Sequence, residues 1–243
     1  TGAALNLGPR FLDDKYRLDF RYTFQKITVA DVQDQFVGSL SQGTSISSVL
    51  GVEAARDTRD NIWDPGSGTR NSIGMNLSGG PLQGNIHFWK PFVSNSAHKT
   101  LFSIADYPLV LSVSNRASYV TPFFETKEVP VFERMFVGGQ DSLRGYSGIG
   151  EVGARNGGKV SEIFNVELGF PLARERKRTI VKFVAFFDAG SAWENMRSMH
   201  FRIGTGERDI KTDVGFGIRF TTPAFPIRLD WGYGFQHRPG EER

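Results

Sequence analysis

Apolar and polar residues alternate along much of the chain, and this alternation predicts β-strands with one apolar and one polar face. In RLDFRYTFQ (17–25) every second residue is leucine, phenylalanine or tyrosine, and the residues between them are charged or polar. The same period of two recurs in EIFNVELGF (162–170), VGFGIRF (214–220) and IRLDWGYGF (227–235). A period of two is the side-chain repeat of a strand, so these segments are predicted to be strands.

About nine strands or parts of strands follow from this pattern, and helical periodicity is nearly absent. The segment VKFVAFFDAG (181–190) is apolar at both parities until Asp188. The predicted strands lie near 15–28, 44–56, 70–79, 85–93, 108–119, 159–170, 179–189, 213–221 and 226–235. Turn residues mark 64–68, 171–178 and 221–226, and longer polar connections cover 29–43, 120–158 and 190–212.

An antiparallel all-β fold suits two environments, a soluble sandwich or an outer-membrane barrel. In a barrel the faces are inverted, so that apolar and aromatic side chains meet lipid while polar residues and glycine line the lumen. Three features favour the barrel. The apolar face is rich in Phe, Leu and Ile, the opposite face carries isolated charges and glycines, and the strands have the length of a tilted membrane crossing.

Composition narrows the possible functions. The 243 residues include 21 Phe and 28 Gly but no Cys, which excludes disulfides and thiolate chemistry. The net charge of +3 is too small to indicate nucleic-acid binding. No apolar run approaches the roughly 18 residues of a membrane-spanning helix.

The sequence predicts no catalytic residue, metal site or cofactor, and therefore no enzyme. The four histidines, of which His87 falls in a predicted strand, have no ligand spacing. Neither a phosphate-binding G-x-x-x-x-G-K-[ST] motif nor a G-x-S-x-G motif is present. Asp57, Asp60 and Asp64 could suggest a calcium loop, but their spacing does not match one, and a turn capped by aspartates is the preferred interpretation.

Isolated charges on the polar faces of the predicted strands are the remaining candidates for a site. These residues are Glu167, Asp188, Arg219, Arg228 and Asp230. In a barrel they would share one lumen, where a buried charge needs a partner. Arg144, in the glycine-rich GGQDSLRGYSGIG (138–150), is a candidate partner for Glu167 and Asp188. Its alternative is a solvated loop residue.

The segment FERMFVGGQDSLRGY (132–146) resembles the signature of the BamA/TamA superfamily of outer-membrane protein assembly and translocation barrels. In that family the segment lies on an extracellular loop that folds back into the barrel. The resemblance implies that Arg144 is the loop-tip arginine and that Glu167 and Asp188 are the lumen-facing acids that dock it. The implied loop motif consists of Gly138, Gly139, Ser142, Leu143, Arg144, Gly145 and Tyr146.

Two further segments extend the resemblance. GFGIRFTTPAFPIRLDWGYGF (215–235) is similar to the family's C-terminal hairpin, with Phe225 replacing the usual glycine, and DTRDNIWDPGSGTR (57–70) matches a periplasmic turn. The resemblance implies a 16-stranded transmembrane barrel, of which roughly ten strands are present and the final strand is missing. We therefore expect residues 1–243 to be one C-terminal barrel region of a longer protein, with a lumen-folding loop at about 120–158.

By resemblance, the function is insertion of nascent outer-membrane β-barrel proteins into the outer membrane of a Gram-negative bacterium. Implied partners are those nascent proteins, accessory outer-membrane lipoproteins, periplasmic polypeptide-transport-associated domains of the same protein, and membrane lipid, with no nucleic acid. Alternatives are a TamA-like assembly factor, a two-partner secretion transporter, and a barrel fused to a patatin-like hydrolase. A soluble β-sandwich binding module explains the alternation but not GGQDSLRGY.

Overall fold

The computed structural model describes residues 1–29, 43–147, 150–175, 178–221 and 226–238. Within these ranges the chain forms one antiparallel sheet of twelve strands, as the all-β prediction requires. The strands are β1 (Gly2–Leu7), β2 (Arg10–Phe11), β3 (Tyr16–Val29), β4 (Gly43–Asp57), β5 (Ser67–Ser78), β6 (Phe88–Ile104), β7 (Tyr107–Tyr119), β8 (Thr121–Pro122), β9 (Val160–Glu175), β10 (Arg178–Trp193), β11 (Lys211–Thr221) and β12 (Pro226–Gly234).

Neighbouring strands in the sheet follow one another in the chain, in the order β1-β3-β4-β5-β6-β7-β9-β10-β11-β12, while the two-residue strands β2 and β8 pair with β3 and β6. Adjacent strands of the sheet pair through long registers. Strands β3 and β4, for example, pair without a register shift from Tyr16 opposite Arg56 to Val29 opposite Gly43. In the part of the chain described here, β1 and β12 are the two edges and the sheet does not close on itself.

The long connections predicted at 120–158 and 190–212 separate β7 from β9 and β10 from β11. Short turns join β4 to β5 and β6 to β7 at one end of the sheet, which we call the turn end. Long connections leave the opposite end, the loop end, and the longest of these is the lumen loop, residues 123–159 between β8 and β9. No helix among the described residues is long and apolar enough to cross a membrane.

The apolar face of the sheet points outward. Phe216, Trp231 and Tyr233 are 51%, 51% and 53% exposed, although each belongs to the apolar set of its strand. Rings on three adjacent strands stack on this face, with centroids 6.3 Å apart for Phe183–Phe216 and 5.5 Å apart for Phe216–Trp231. Asp188, by contrast, is fully buried on the opposite face, against the lumen loop. This inversion of the soluble pattern is that of a membrane barrel.

The structure corrects several predicted boundaries. Strand β6 runs to Ile104, well beyond the predicted end at 93, because residues 94–99 are polar apart from Ala97 and carry no alternation signal. His87 lies just before this strand, where its Nδ1 accepts a hydrogen bond from the backbone N–H of Gly80 at 2.9 Å. The alternation pattern did not predict strand β1. Phe225, which replaces the usual glycine of the C-terminal hairpin, lies outside the described residues.

Candidate functional site: the lumen loop and its docking surface

The tip of the lumen loop is a tight turn set by two glycines. Gly138 and Gly139 have φ angles of 120° and 91°, which residues other than glycine rarely adopt. The Gly139 N–H donates to the carbonyl oxygens of Leu143, at 3.1 Å, and Tyr146, at 2.6 Å. The Ser142 hydroxyl accepts from the Gly138 N–H at 2.9 Å. These bonds close residues 138–146 into one compact unit.

Apolar side chains anchor this unit to the sheet on either side of the arginine. Leu143 and Tyr146 are buried in one cluster with Val137, Val152 and Ala192 of β10. The Tyr146 hydroxyl donates to the Thr212 carbonyl of β11 at 3.1 Å. The loop tip is thus held by packing as well as by polar contacts.

Arg144 enters the lumen between these anchors and is only 6% exposed. Its Nε and Nη2 donate to the two carboxylate oxygens of Asp188 at 2.8 and 2.7 Å, and its Nη1 donates to Glu167 at 2.6 Å. The guanidinium carbon lies 3.5 Å from the centre of the Phe186 ring. A forked ion pair and a cation–π contact therefore hold the same group. Burial by itself lowers the pKa of Arg144, but its bonds to Asp188 and Glu167 outweigh burial and raise it.

A second arginine extends the cluster toward the turn end. Arg219 of β11 donates to both carboxylate oxygens of Glu167, at 2.6 and 3.1 Å. Asp230 of β12 lies 3.8 Å from Arg144 Nη1 and 4.0 Å from Arg219 Nη2. Neither Asp230 carboxylate oxygen has a hydrogen-bond partner among the described residues. The cluster therefore ties the loop to β9, β10, β11 and β12.

Glycines on β12 allow the loop backbone to lie directly on the sheet. A Cβ added at Gly232 would be 2.7 Å from the carbonyl carbon of Arg144, and one at Gly234 would be 2.7 Å from Cζ of Tyr146. A Cβ at Gly145 would be 2.6 Å from the Gly234 nitrogen. Real Cβ atoms do not approach this closely, so this close contact depends on the absence of side chains.

The structure brings together Arg144, Glu167 and Asp188, the three residues that the sequence proposed as a docked group. Arg219 and Asp230 join them, whereas Arg228 pairs instead with the exposed Asp141 of the lumen loop at 2.9 Å.

Sequence reasoning missed Asp213, a fully buried residue of β11. Its carboxylate accepts the Gly145 N–H at 2.9 Å. The signal was available, because Asp213 has the parity of Arg219 and so lies on the polar face of the same strand.

The turn at 58–66 is capped by Asp60, as predicted. The Asp60 Oδ1 accepts the backbone N–H groups of Asn61, Gly66 and Ser67 at 2.9, 2.9 and 3.1 Å. Desolvation acts to raise the pKa of Asp60, but the backbone N–H groups outweigh it and lower the pKa. Asp60 is therefore a local turn cap.

Asp57 also caps the turn, because its Oδ1 accepts the backbone N–H of Arg59 at 3.1 Å, and both Asp57 and Asp64 form ion pairs. Asp57 pairs with Arg59 at 2.6 Å, and Asp64 crosses to Lys182 of β10 at 2.9 Å, so the turn bends into the lumen. The described residues contain no group of three or more His, Cys, Asp or Glu side chains that could hold a metal ion.

The sequence-family model described as the Omp85 superfamily domain matches residues 1–243 of this chain. The chain is 28% identical over 230 residues to the outer membrane protein assembly factor BamA of Nitratidesulfovibrio vulgaris, and the match covers 91% of this chain. It covers 27% of that relative, so the chain spans about a quarter of its length.

Solved structures share the fold at lower identity. The crystal structure of BamA from Haemophilus ducreyi lacking POTRA domains 1–3 matches with a TM-score of 0.74 at 18% identity, covering 99% of this chain and 52% of that one. CdiB from Acinetobacter baumannii matches with a TM-score of 0.61 at 16% identity, covering 99% and 39%. The chain therefore belongs to the Omp85 superfamily, and its sheet is part of a BamA-type outer-membrane β-barrel.

Proposed function

We propose that this chain is the barrel region of a protein that inserts nascent β-barrel proteins into the outer membrane. The observation that carries the proposal is the match to a BamA assembly factor across 91% of the chain. Nascent strands would pair with a sheet edge of the complete barrel, where backbone hydrogen bonds provide affinity without requiring one sequence.

The lumen loop supports this proposal because it joins four strands of the sheet. Its tip contacts β9, β10, β11 and β12 through side-chain ion pairs and backbone packing. A barrel that admits strands at an edge must keep the rest of its sheet in register. We assign this role to the docked loop, with Arg144, Glu167 and Asp188 as its central contacts.

We infer that the barrel does not catalyse covalent chemistry. Arg144 is bonded to two carboxylates and Glu167 to two arginines, so the polar groups of the cluster bind one another. The remaining proposed partners are accessory outer-membrane lipoproteins, periplasmic polypeptide-transport-associated domains of the parent protein, and membrane lipid.

Depletion of the full-length parent protein in its host tests the proposal. We expect a broad loss of β-barrel proteins from the outer-membrane proteome, with periplasmic accumulation of their unfolded forms. Intact levels of other barrels, with loss of one secreted protein, would contradict it.

That contrary outcome would favour the second candidate, a two-partner secretion transporter, which the likeness to CdiB supports. The lower TM-score and identity of that match make it the weaker candidate. A TamA-like factor shares the sequence motifs, and a narrower set of affected barrels would distinguish it.

A further inference from the structure

Two buried carboxyl groups lie side by side beneath the tip of the lumen loop. Asp188 of β10 and Asp213 of β11 are directly opposite one another in the strand register, and both are fully buried. Residues in such positions have Cβ atoms roughly 4.5–5.5 Å apart. Two carboxylates this close cannot both be ionised without strong repulsion.

The hydrogen bonds distinguish the two acids. Asp188 accepts four, from Arg144 Nε, Nη2 and backbone N and from Asn165 Nδ2 at 2.8 Å. Asp213 accepts one on Oδ2, from the Gly145 N–H, and its Oδ1 has no hydrogen-bond partner among the described residues. The four donors around Asp188 favour its ionised form, while Asp213 has an oxygen available to carry a proton.

In the ion-pair cluster beside this site, acids outnumber the arginines that pair with them. The other charged or titratable groups near this site include Arg144, Glu167, Arg219, Asp230 and the hydroxyl of Tyr146. Arg116 of β7 is a further cation near Asp188, and it donates to Asn165, the residue whose amide donates to Asp188. Arg144 and Arg219 already face three acids before Asp213 is counted. Lys211 shares the strand face of Asp213, and its Nζ donates to the Gly204 carbonyl at 3.1 Å.

We propose that Asp213 is a positioning residue of the loop dock and that it holds a proton, shared with Asp188, when the loop is docked. The protonated acid donates to Asp188 through Oδ1 and accepts the Gly145 N–H through Oδ2. It thereby aligns the residue next to Arg144 while adding no charge to the cluster. This inference does not depend on which polypeptides the barrel handles.

Infrared difference spectroscopy of the full-length protein in detergent at neutral pH tests the proton. We expect the wild type to show the carbonyl band of a protonated carboxylic acid, which Asp213→Asn removes. Asp141→Asn is the matched control, because it removes an 83% exposed acid of the same loop and should leave the band unchanged. Absence of the band in the wild type, or its persistence in Asp213→Asn, would overturn the proposal.

Loop protection from protease provides the second measurement. An asparagine amide reproduces the shape and the hydrogen-bond donor of a protonated aspartate. The loop of Asp213→Asn should therefore be cleaved at a rate within about twofold of the wild-type rate. The loop of Asp188→Asn should be cleaved at least about tenfold faster, because Arg144 loses the carboxylate that it binds through two nitrogens and keeps only Glu167.

The docked state holds the proton, so raising the pH should accelerate cleavage of wild type relative to Asp213→Asn. Comparing both proteins at each pH cancels the protease's own pH response. Equal pH profiles, or an Asp213→Asn protein whose loop is undocked, would contradict the shared proton.

Discussion

At the scale of single residues, the loop dock depends on the shape of the guanidinium group as well as on its charge. Arg144 bonds two carboxylates on two strands and lies against the Phe186 ring. A lysine ammonium is a point charge that cannot make the same fork. The position therefore selects arginine specifically.

Arg144→Lys should lower the free energy of unfolding of the full-length protein by about 1–3 kcal/mol, since one forked pair and the ring contact are lost. Arg144→Glu should cost more, on the order of 3–5 kcal/mol, because the acids are then left unpaired, although water in the lumen would reduce this. Urea unfolding in vesicles, together with heat-modifiable gel mobility, measures both.

Arg228→Lys is the matched control, because Arg228 is 41% exposed and pairs with an exposed acid. It should change stability by less than about 0.5 kcal/mol. Wild-type stability and protease resistance in Arg144→Lys would show that charge alone suffices.

At the scale of elements, β12 serves as a smooth surface for the loop backbone. Gly232 and Gly234 have the same parity and lie under residues 144–146. Alternate glycines leave a shallow groove along one face of the strand, and the outward residues of β12 remain large and apolar. One strand thus combines a loop contact and a membrane surface.

Gly232→Ala should undock the loop, because the new Cβ would meet backbone atoms of Arg144 and Gly145 at 2.7 Å. We expect faster proteolysis within 138–146 and a loss of stability of about 1–3 kcal/mol, as for other overpacked sites.

Gly51→Ala on β4 is the control, since its Cβ would first meet the movable side chain of Asn76, with backbone no nearer than 3.7 Å. The interpretation would be contradicted if the loop of Gly232→Ala resisted protease as well as that of Gly51→Ala.

At the scale of the whole molecule, the inverted faces define the environment. The outward rings of Phe183, Phe216 and Trp231 stack on one another across β10, β11 and β12, while the charged cluster lies on the opposite face, beneath the lumen loop. In water this arrangement would expose a large apolar surface, which soluble proteins avoid. In a bilayer the same surface is solvated by lipid.

Phe216→Arg should destabilise the protein in vesicles by about 2–4 kcal/mol, because Phe216 lies midway along β11 on the lipid face. Unfolding by urea in vesicles measures the change, and Phe216→Leu is the control that keeps the site apolar. Equal stability of the two variants would show that this face does not meet hydrocarbon.

Much of the fold could be predicted from the sequence because a strand's side chains alternate with a period of two. The pattern 214–220 assigns Phe216 outward and Arg219 inward, and the structure agrees. The pattern fails at 94–99 of β6, where only Ala97 is apolar and no alternation marks the strand. Alternation reveals a strand only where one face is apolar and the other is polar, so a strand with two similar faces cannot be recognised by it.

The sequence by itself determined the all-β class, the inward parity of Glu167, and, through the resemblance, Arg144 as the loop-tip arginine and Asp188 as a docking acid. Only the tertiary structure decided that Asp213 lies opposite Asp188, because strand register depends on pairing between β10 and β11 that no local pattern encodes. It likewise separated Arg219 from Arg228, two lumen-facing residues of identical type with different partners. The position of a residue along its strand decides which face of the sheet its side chain lies on. The strand register and the packing of the loop decide which side chains it contacts there.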